Sequence, residues 1–248
     1  MTTHQVALCA IALGALAVTV PGGRHASSRH QGASGRIEGT VVVGERLSSR
    51  RLRVPIYQEY GPGSQPSPGD MGDTSELANV VLYLDSAPHS APPPPTGPHA
   101  PPAIHQRHET FVPHLTAVTA GTTVQFPNDD PIFHNVFSLS RVKSFDLGRY
   151  PTGASKSVRF DRPGVVQVFC HIHSDMRAIV IVLANGFFAT PDSAGHFVID
   201  GIPAGTYRLI AWHERVTPIA REVVVRAGET LSVSVAIPLP LTPPAAKR

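Results

Sequence analysis

The sequence has little charge, few aromatic residues and almost no cysteine. Charged residues make up 16% of the 248 residues, and the formal net charge at pH 7 is +3. Lys and Arg are scattered along the chain, with only Arg50, Arg51 and Arg53 close together. A nucleic-acid-binding protein normally carries a dense basic patch. The composition therefore argues against a nucleic-acid partner.

The apolar run at residues 6–20 is too short to cross a bilayer comfortably, and a polar, Gly- and Ser-containing stretch follows it. This pattern predicts a signal peptide over residues 1–28 and a periplasmic or otherwise extracytoplasmic location. The region before the run holds His4 but no Lys or Arg. An uncleaved N-terminal anchor is therefore the alternative, and it is the one route by which we expect contact with a membrane.

The scarcity of cysteine excludes a fold held together by disulfides. Of the two cysteines, Cys9 lies inside the apolar run and Cys170 lies far from it. Removal of a signal peptide would leave Cys170 alone. A lone thiol in an oxidising compartment cannot form an internal disulfide and needs another reason to persist. Metal ligation is the reason that we predict.

Helical periodicity is also missing, and short strand-like segments separated by turns take its place. Such segments lie at residues 36–43, 78–85, 122–126, 157–160, 165–169, 178–183 and 230–237. Short strands at regular spacing predict an all-β protein built from sandwiches or barrels. Residues 87–103 are dense in proline, which favours an extended, semi-rigid linker. We therefore place a domain boundary there.

The chemistry-bearing residues are Cys170, His173 and Met176, in the order Cys-x-x-His-x-x-Met, and His134, which lies 36 residues before the cysteine. The first three occupy a turn between two predicted strands, and His134 lies at another junction of a strand and a loop. Two imidazoles, a thiolate and a thioether are the ligand set of a copper site with a weak axial sulfur. We therefore predict that these four residues bind one copper ion per chain.

The strand before Cys170 explains why the sulfur should face the protein interior. Val166, Val168 and Cys170 share one face of a strand with period two, whereas Gln167 lies on the other face. Asn135 directly follows His134, and we predict that it links the two ligand-bearing segments through hydrogen bonds.

Several other polar residues are interpreted as structural. Asp129 and Asp130 are predicted to form a turn rather than to act as catalytic acids. Trp212 lies beside His213, which we expect to pack or hydrogen-bond within a sandwich. Four histidines near the linker are expected to be solvated and unstructured, with metal capture as the alternative; these are His89, His99, His105 and His108.

Residues 104–183 resemble a cupredoxin of the plastocyanin and amicyanin type. The resemblance rests on AGTTVQFPNDDPIFHNVFS, around the first histidine, and on PGVVQVFCHIHSDM, around the other three ligands. It implies a Greek-key cupredoxin barrel and one-electron transfer rather than enzymatic activity, with a redox protein such as a c-type cytochrome or a periplasmic dehydrogenase as partner. It also implies a type 1 copper site with His134, Cys170, His173 and Met176 as ligands.

Two positions depart from that family's pattern. Ile172 stands where many members have Pro or Gly, and His171 directly follows the cysteine. A histidine at that place is similar to multicopper oxidases and copper nitrite reductases, where it binds a further copper ion. This chain has Phe169 before Cys170 and no His-x-His pair beyond residues 171–173, which argues against an oxidase.

The flanking segments resemble a transthyretin-like carboxypeptidase regulatory domain, an Ig/transthyretin-like β-sandwich. GRIEGTVVV and ANVVLYLD resemble its opening strands, and ATPDSAGHFVIDGIPAGTYRLIAWHE resembles its closing half. We infer one sandwich built from residues 36–86 and 187–238, with the cupredoxin domain at residues 104–186 inserted between the halves. A tandem order of the domains is the alternative.

The sequence thus predicts an exported mononuclear copper protein that carries one electron. A copper-binding or copper-delivery protein with the same ligands is the second hypothesis. A structural or adhesion module with incidental metal binding is the third.

Overall fold

The computed structural model describes residues 34–44, 76–85, 87 and 101–238. The predicted signal peptide, most of the proline-dense linker, His89 and His99 lie outside these residues. Within the described part, no helix is long and apolar enough to cross a membrane. The regular elements are strands and one 3₁₀ turn (Glu76–Asn79), which confirms the all-β fold class.

The strands before residue 85 and after residue 187 form two sheets that share one core, here called the flanking sandwich. The strands are β1 (Gly35–Val43), β2 (Val80–Leu84), β12 (Phe188–Ala189), β13 (His196–Ile202), β14 (Gly205–His213), β15 (Ile219–Val225) and β16 (Thr230–Ile237). One sheet has the order β13-β1-β16 and the other β12-β2-β14-β15. Both sheets therefore combine strands from the two ends of the described chain.

The strands between form the central sandwich. They are β3 (His105–Arg107), β4 (Thr110–Val112), β5 (Leu115–Thr119), β6 (Thr122–Pro127), β7 (His134–Leu139), β8 (Ser144–Tyr150), β9 (Ser155–Phe160), β10 (Gly164–Phe169) and β11 (Arg177–Leu183). The five-stranded sheet has the order β5-β11-β10-β7-β8, and two smaller sheets pair β6 with β9 and β3 with β4. The domain boundaries themselves stay a prediction.

The strand β11 is buried on both faces, as a continuous apolar run requires. Ala178, Val180 and Val182 contribute to the core of the central sandwich. The intervening side chains of Ile179 and Ile181 pack with Val81 of β2 in a separate cluster. The two sandwiches are therefore joined by an apolar layer of their own.

Two expectations need correction. The strand predicted at residues 78–85 begins only at Val80, because Glu76–Asn79 forms the 3₁₀ turn, in which the Asn79 amide donates to the Glu76 carboxylate. His105 and His108 are not unstructured: His105 lies in β3 and His108 in the turn that connects β3 to β4. Nδ1 of His105 lies 2.7 Å from the Asp129 carboxylate, and this hydrogen bond connects β3 to Asp129.

Candidate metal centre

Three strand ends bring the predicted ligands to one end of the central sandwich. His134 is the first residue of β7, Cys170 follows the last residue of β10, and Met176 precedes the first residue of β11. The strands β7 and β10 are adjacent, with Phe137 opposite Phe169. Pairing of these strands therefore sets the separation of His134 and Cys170, although they lie far apart in sequence.

The predicted alternation of β10 is present. Val166 and Val168 are fully buried, Cys170 is 5% exposed, and Gln167 between them is exposed. Since side chains alternate across a strand, the sulfur of Cys170 faces the same core as the two valines.

His134, Cys170 and His173 form one group that could hold a metal ion, here called the metal-ligand cluster. Nδ1 of His134 and Nδ1 of His173 lie 3.1 Å apart, and each lies 3.9 Å from the Cys170 sulfur. Their ligand atoms all fall within 4.8 Å of one another. His134 is fully buried, whereas the His173 side chain keeps 13% of its surface exposed. A sulfur and two ring nitrogens thus converge on one small volume.

Met176 closes the loop that carries the predicted ligands Cys170 and His173. Its side chain is buried in the same core as Cys170. Its backbone N–H donates to the His173 carbonyl at 3.0 Å, and its carbonyl accepts from the Cys170 N–H at 3.3 Å. The backbone of the Cys-x-x-His-x-x-Met segment is therefore held in one compact turn.

The surroundings of Cys170 lower the pKa of its thiol. Burial raises its pKa, but the hydrogen bond with His134 and backbone N–H groups, among them that of Asn135, together lower it to about 6. The thiolate is the form that binds metals. At neutral pH the cluster therefore presents a charged sulfur.

The pKa of the His134 imidazole is shifted in the opposite direction, upward. Burial lowers its pKa, but the hydrogen bond to Asp130 and the adjacent thiolate raise it to about 9. A metal ion needs the lone pair of a deprotonated Nδ1, so metal binding at neutral pH must displace one proton from this ring.

Asn135 makes the link that the sequence predicts. Its side-chain oxygen accepts from the His171 N–H at 2.7 Å, and its amide donates to Asp146 at 3.1 Å. One buried side chain thus joins β7, β8 and the loop after β10.

Asp130 is the residue of the candidate site that sequence reasoning missed. It does form a turn, since its N–H donates to the Asn128 side chain at 3.0 Å. In addition, its carboxylate lies 2.7 Å from Nε2 of His134, with both side chains buried. The signal available was an acidic residue four positions before a predicted ligand. Asp129, by contrast, pairs with Arg107 and His105.

His171 stands apart from the metal-ligand cluster. Its side chain is 56% exposed, lies 3.8 Å from Asp146 and stacks on Phe137 with ring centroids 3.7 Å apart.

Across residues 34–44, 76–85, 87 and 101–238, the cluster of His134, Cys170 and His173 is the only group of three or more His, Cys, Asp or Glu side chains arranged to hold a metal ion.

Solved structures similar to this chain include copper proteins. A purple cupredoxin from Nitrosopumilus maritimus is 24% identical, and the match covers 33% of this chain and 98% of that chain at a TM-score of 0.31. A mutant of amicyanin in its Cu(I) form is 18% identical over 41% of this chain and 97% of that chain, at a TM-score of 0.32.

A third similar structure is a copper-containing nitrite reductase from Thermus scotoductus. It is 24% identical, and the match covers 39% of this chain but only 26% of the reductase, at a TM-score of 0.32. No protein-family model matches this chain. No curated protein matches it at a significant level.

Proposed function

We propose that this protein binds one copper ion through His134, Cys170, His173 and Met176 and works as a one-electron carrier. The observation that carries the proposal is the convergence of two imidazole nitrogens and one thiolate sulfur within 4.8 Å at a buried strand end. The thioether of Met176 belongs to the same core. This donor set suits copper in a trigonal site with a weak axial sulfur.

The residues of the chain would hold this group in one geometry. Neighbouring strands fix His134 and Cys170, the compact turn fixes His173, and the core excludes water from the buried side. Bound copper would supply a Cu(I)/Cu(II) couple that exchanges one electron. A rigid set of ligands suits that exchange because little needs to rearrange between the two oxidation states.

The surface near His173 suits contact with a redox partner. Phe133 precedes the ligand His134 in sequence and is 57% exposed, and Ile172 precedes His173 and is 41% exposed. The partner in this proposal is a redox protein such as a c-type cytochrome or a periplasmic dehydrogenase, and the location is extracytoplasmic. The four ligands fill the coordination sites of such a centre, which favours a carrier over an enzyme.

Copper delivery is the second candidate function, and the partial exposure of His173 favours it. A partly exposed ligand gives a competing chelator or an acceptor protein access to the bound copper. Rapid loss of copper to a chelator would support delivery, whereas retention of copper with fast, reversible reduction by a cytochrome would support electron transfer.

The deciding measurement is a visible spectrum with an EPR spectrum of the Cu(II)-loaded protein. We expect an intense thiolate-to-copper band at about 600 nm and narrow copper hyperfine splitting. Cys170→Ser should abolish both. His171→Ala is the matched control, because this neighbouring histidine lies outside the metal-ligand cluster, and it should keep both signals. Absence of the band from the wild-type protein would overturn the proposal.

A further inference from the structure

The carboxylate of Asp130 is held more firmly than a turn requires. It is 3% exposed and accepts the backbone N–H of His108 at 2.5 Å and that of Glu109 at 2.9 Å. The Thr152 hydroxyl donates to its backbone carbonyl. Two separate segments of the central sandwich, the turn between β3 and β4 and the residues just after β8, therefore hold this buried acidic residue in place.

The turn that supplies the two N–H groups has an unusual backbone. His108 and Glu109 have φ angles of 50° and 53°, in the left-handed region that Gly or Asn normally occupies in a two-residue hairpin turn. Two consecutive residues in this region cost free energy, and the surrounding contacts must offset that cost. Here both N–H groups point to the same carboxylate, so the turn and Asp130 stabilise each other.

The position of Asp130 decides which nitrogen of His134 can bind a metal. An ionised carboxylate only accepts hydrogen bonds, so Nε2 of His134, 2.7 Å away, must carry a proton. The other nitrogen, Nδ1, is the one that lies near Cys170 and His173. Carboxylate partners of this kind orient metal-binding histidines and raise their basicity.

The charge of Asp130 has a further effect because it is buried. Within the described residues, the hydrogen-bond partners of the carboxylate are the two N–H groups and His134 itself. A negative charge in surroundings of low dielectric constant favours the more positive state of a nearby ion. Glu109 adds a second, weaker contribution, since its carboxylate lies 3.8 Å from Nε2 of His173.

We propose that Asp130 is a positioning residue that holds His134 with Nδ1 directed toward the metal and whose buried charge favours Cu(II) over Cu(I). This inference rests on the proposed copper site. According to this inference, the Asp130 carboxylate, which is not one of the four ligands, helps to set the reduction potential of the copper ion.

Asp130→Asn tests the inference, and Asp129→Asn is its matched control. Both changes remove one carboxylate from the same turn, but Asp129 faces Arg107 and His105 rather than His134. We expect Asp130→Asn to lower the affinity for Cu(II) by about 10–100-fold and the affinity for Cu(I) less. The potential should rise by about 59 mV for each tenfold difference between the two losses, and the control should stay at the wild-type potential.

Two further measurements separate a positioning role from a purely structural one. Asp130→Glu keeps the charge, so its potential should stay closer to wild type than that of Asp130→Asn. In the wild-type Cu(I) protein, the proton on Nε2 of His134 should give an NMR signal shifted downfield by its bond to the carboxylate. This second measurement needs no variant to fold.

Equal potentials for Asp130→Asn and Asp129→Asn, or an ordinary imidazole shift for the His134 proton, would overturn the inference. Failure of the underlying copper site gives a different result, because the wild-type protein would then lack the thiolate band altogether.

Discussion

Each sandwich contains one fully buried histidine that faces a buried carboxylate, but the two pairs differ in the second ring nitrogen. In the central sandwich, Nε2 of His134 faces Asp130 at 2.7 Å. In the flanking sandwich, Nε2 of His213 faces Glu76 at 3.2 Å. Nδ1 of His213 accepts the backbone N–H of Arg215 at 3.2 Å, so both of its nitrogens are used within the fold.

Nδ1 of His134 instead faces Cys170 and His173. The flanking pair is also neutralised more completely, because Glu76 accepts from the Arg215 guanidinium at 2.9 Å. A buried histidine with an acidic partner is therefore not sufficient to indicate a metal site. The two pairs differ at Nδ1. In His213 this nitrogen accepts a backbone N–H, whereas in His134 its lone pair faces the Cys170 sulfur.

The largest expected effects come from removing each of the two histidines. His134→Ala should abolish the thiolate band while the protein stays folded. His213→Ala should leave the spectrum unchanged in the folded protein but lower the free energy of unfolding by about 1–3 kcal/mol, because it removes one hydrogen-bond partner of the buried Glu76 carboxylate. Copper titration and urea unfolding of both variants check this. The comparison fails if His213→Ala alone abolishes the band.

The next effect concerns the pH dependence of copper binding. His134, with its pKa raised to about 9, must lose one proton when the metal binds, whereas Cys170 is already ionised above about pH 6. The apparent affinity should therefore rise about tenfold for each pH unit between these values. Below about pH 6 the slope should steepen, because protonation of Cys170 then competes with the metal as well. A competition titration across this range measures the slope, and a flat profile would contradict the assignment of His134.

A smaller effect is expected where the two sandwiches meet. Burial raises the pKa of Glu214, but the hydrogen bond from His114 and the charge of Arg177 lower it from 4.5 to about 2. A lowered carboxyl pKa stabilises the fold above the unfolded value, and that contribution is lost as pH falls from about 4.5 toward 2. Glu214→Gln should cost about 1–3 kcal/mol at neutral pH and flatten the acid limb of the unfolding curve.

Glu222→Gln is the control for this prediction, since Glu222 is exposed on β15. Acid unfolding that is identical in Glu214→Gln and in the wild-type protein would contradict the role given to the His114–Glu214 contact.

The smallest effect should follow from His171→Ala. Its ring stacks on Phe137 but lies outside the metal-ligand cluster. Loss of this stacked pair should cost about 0.5–1.5 kcal/mol and leave the visible spectrum and copper stoichiometry unchanged. A copper content that falls from two ions to one would instead support the alternative in which His171 binds a further ion.

Local patterns in the sequence predicted much of the fold. The final strand has the predicted bounds of Thr230–Ile237, and β10 and β11 each begin one residue before the prediction. Alternation along β10 also predicted that Cys170 faces the core. These features depend on neighbouring residues, which is why the sequence alone shows them.

The role of Asp130 could not be predicted in the same way. Asp129 and Asp130 are adjacent and chemically identical, and the hairpin formed by β3 and β4, more than 20 residues earlier, decides which one faces His134. The proline-dense linker also led us to expect that His105 and His108 were unstructured, whereas His105 pairs with Val112 and His108 lies in the turn of the same hairpin. Long-range contacts of this kind leave no local pattern.

The double burial of β11 sets a lower limit on how far the protein can be shortened. A fragment limited to residues 101–186 would keep all four predicted ligands, but it would expose Leu115, Ile179, Ile181 and Leu183 to water. Contiguous apolar surface of this kind promotes aggregation. The flanking sandwich therefore covers apolar surface of the central sandwich, and we expect that a recombinant version must include both to stay soluble.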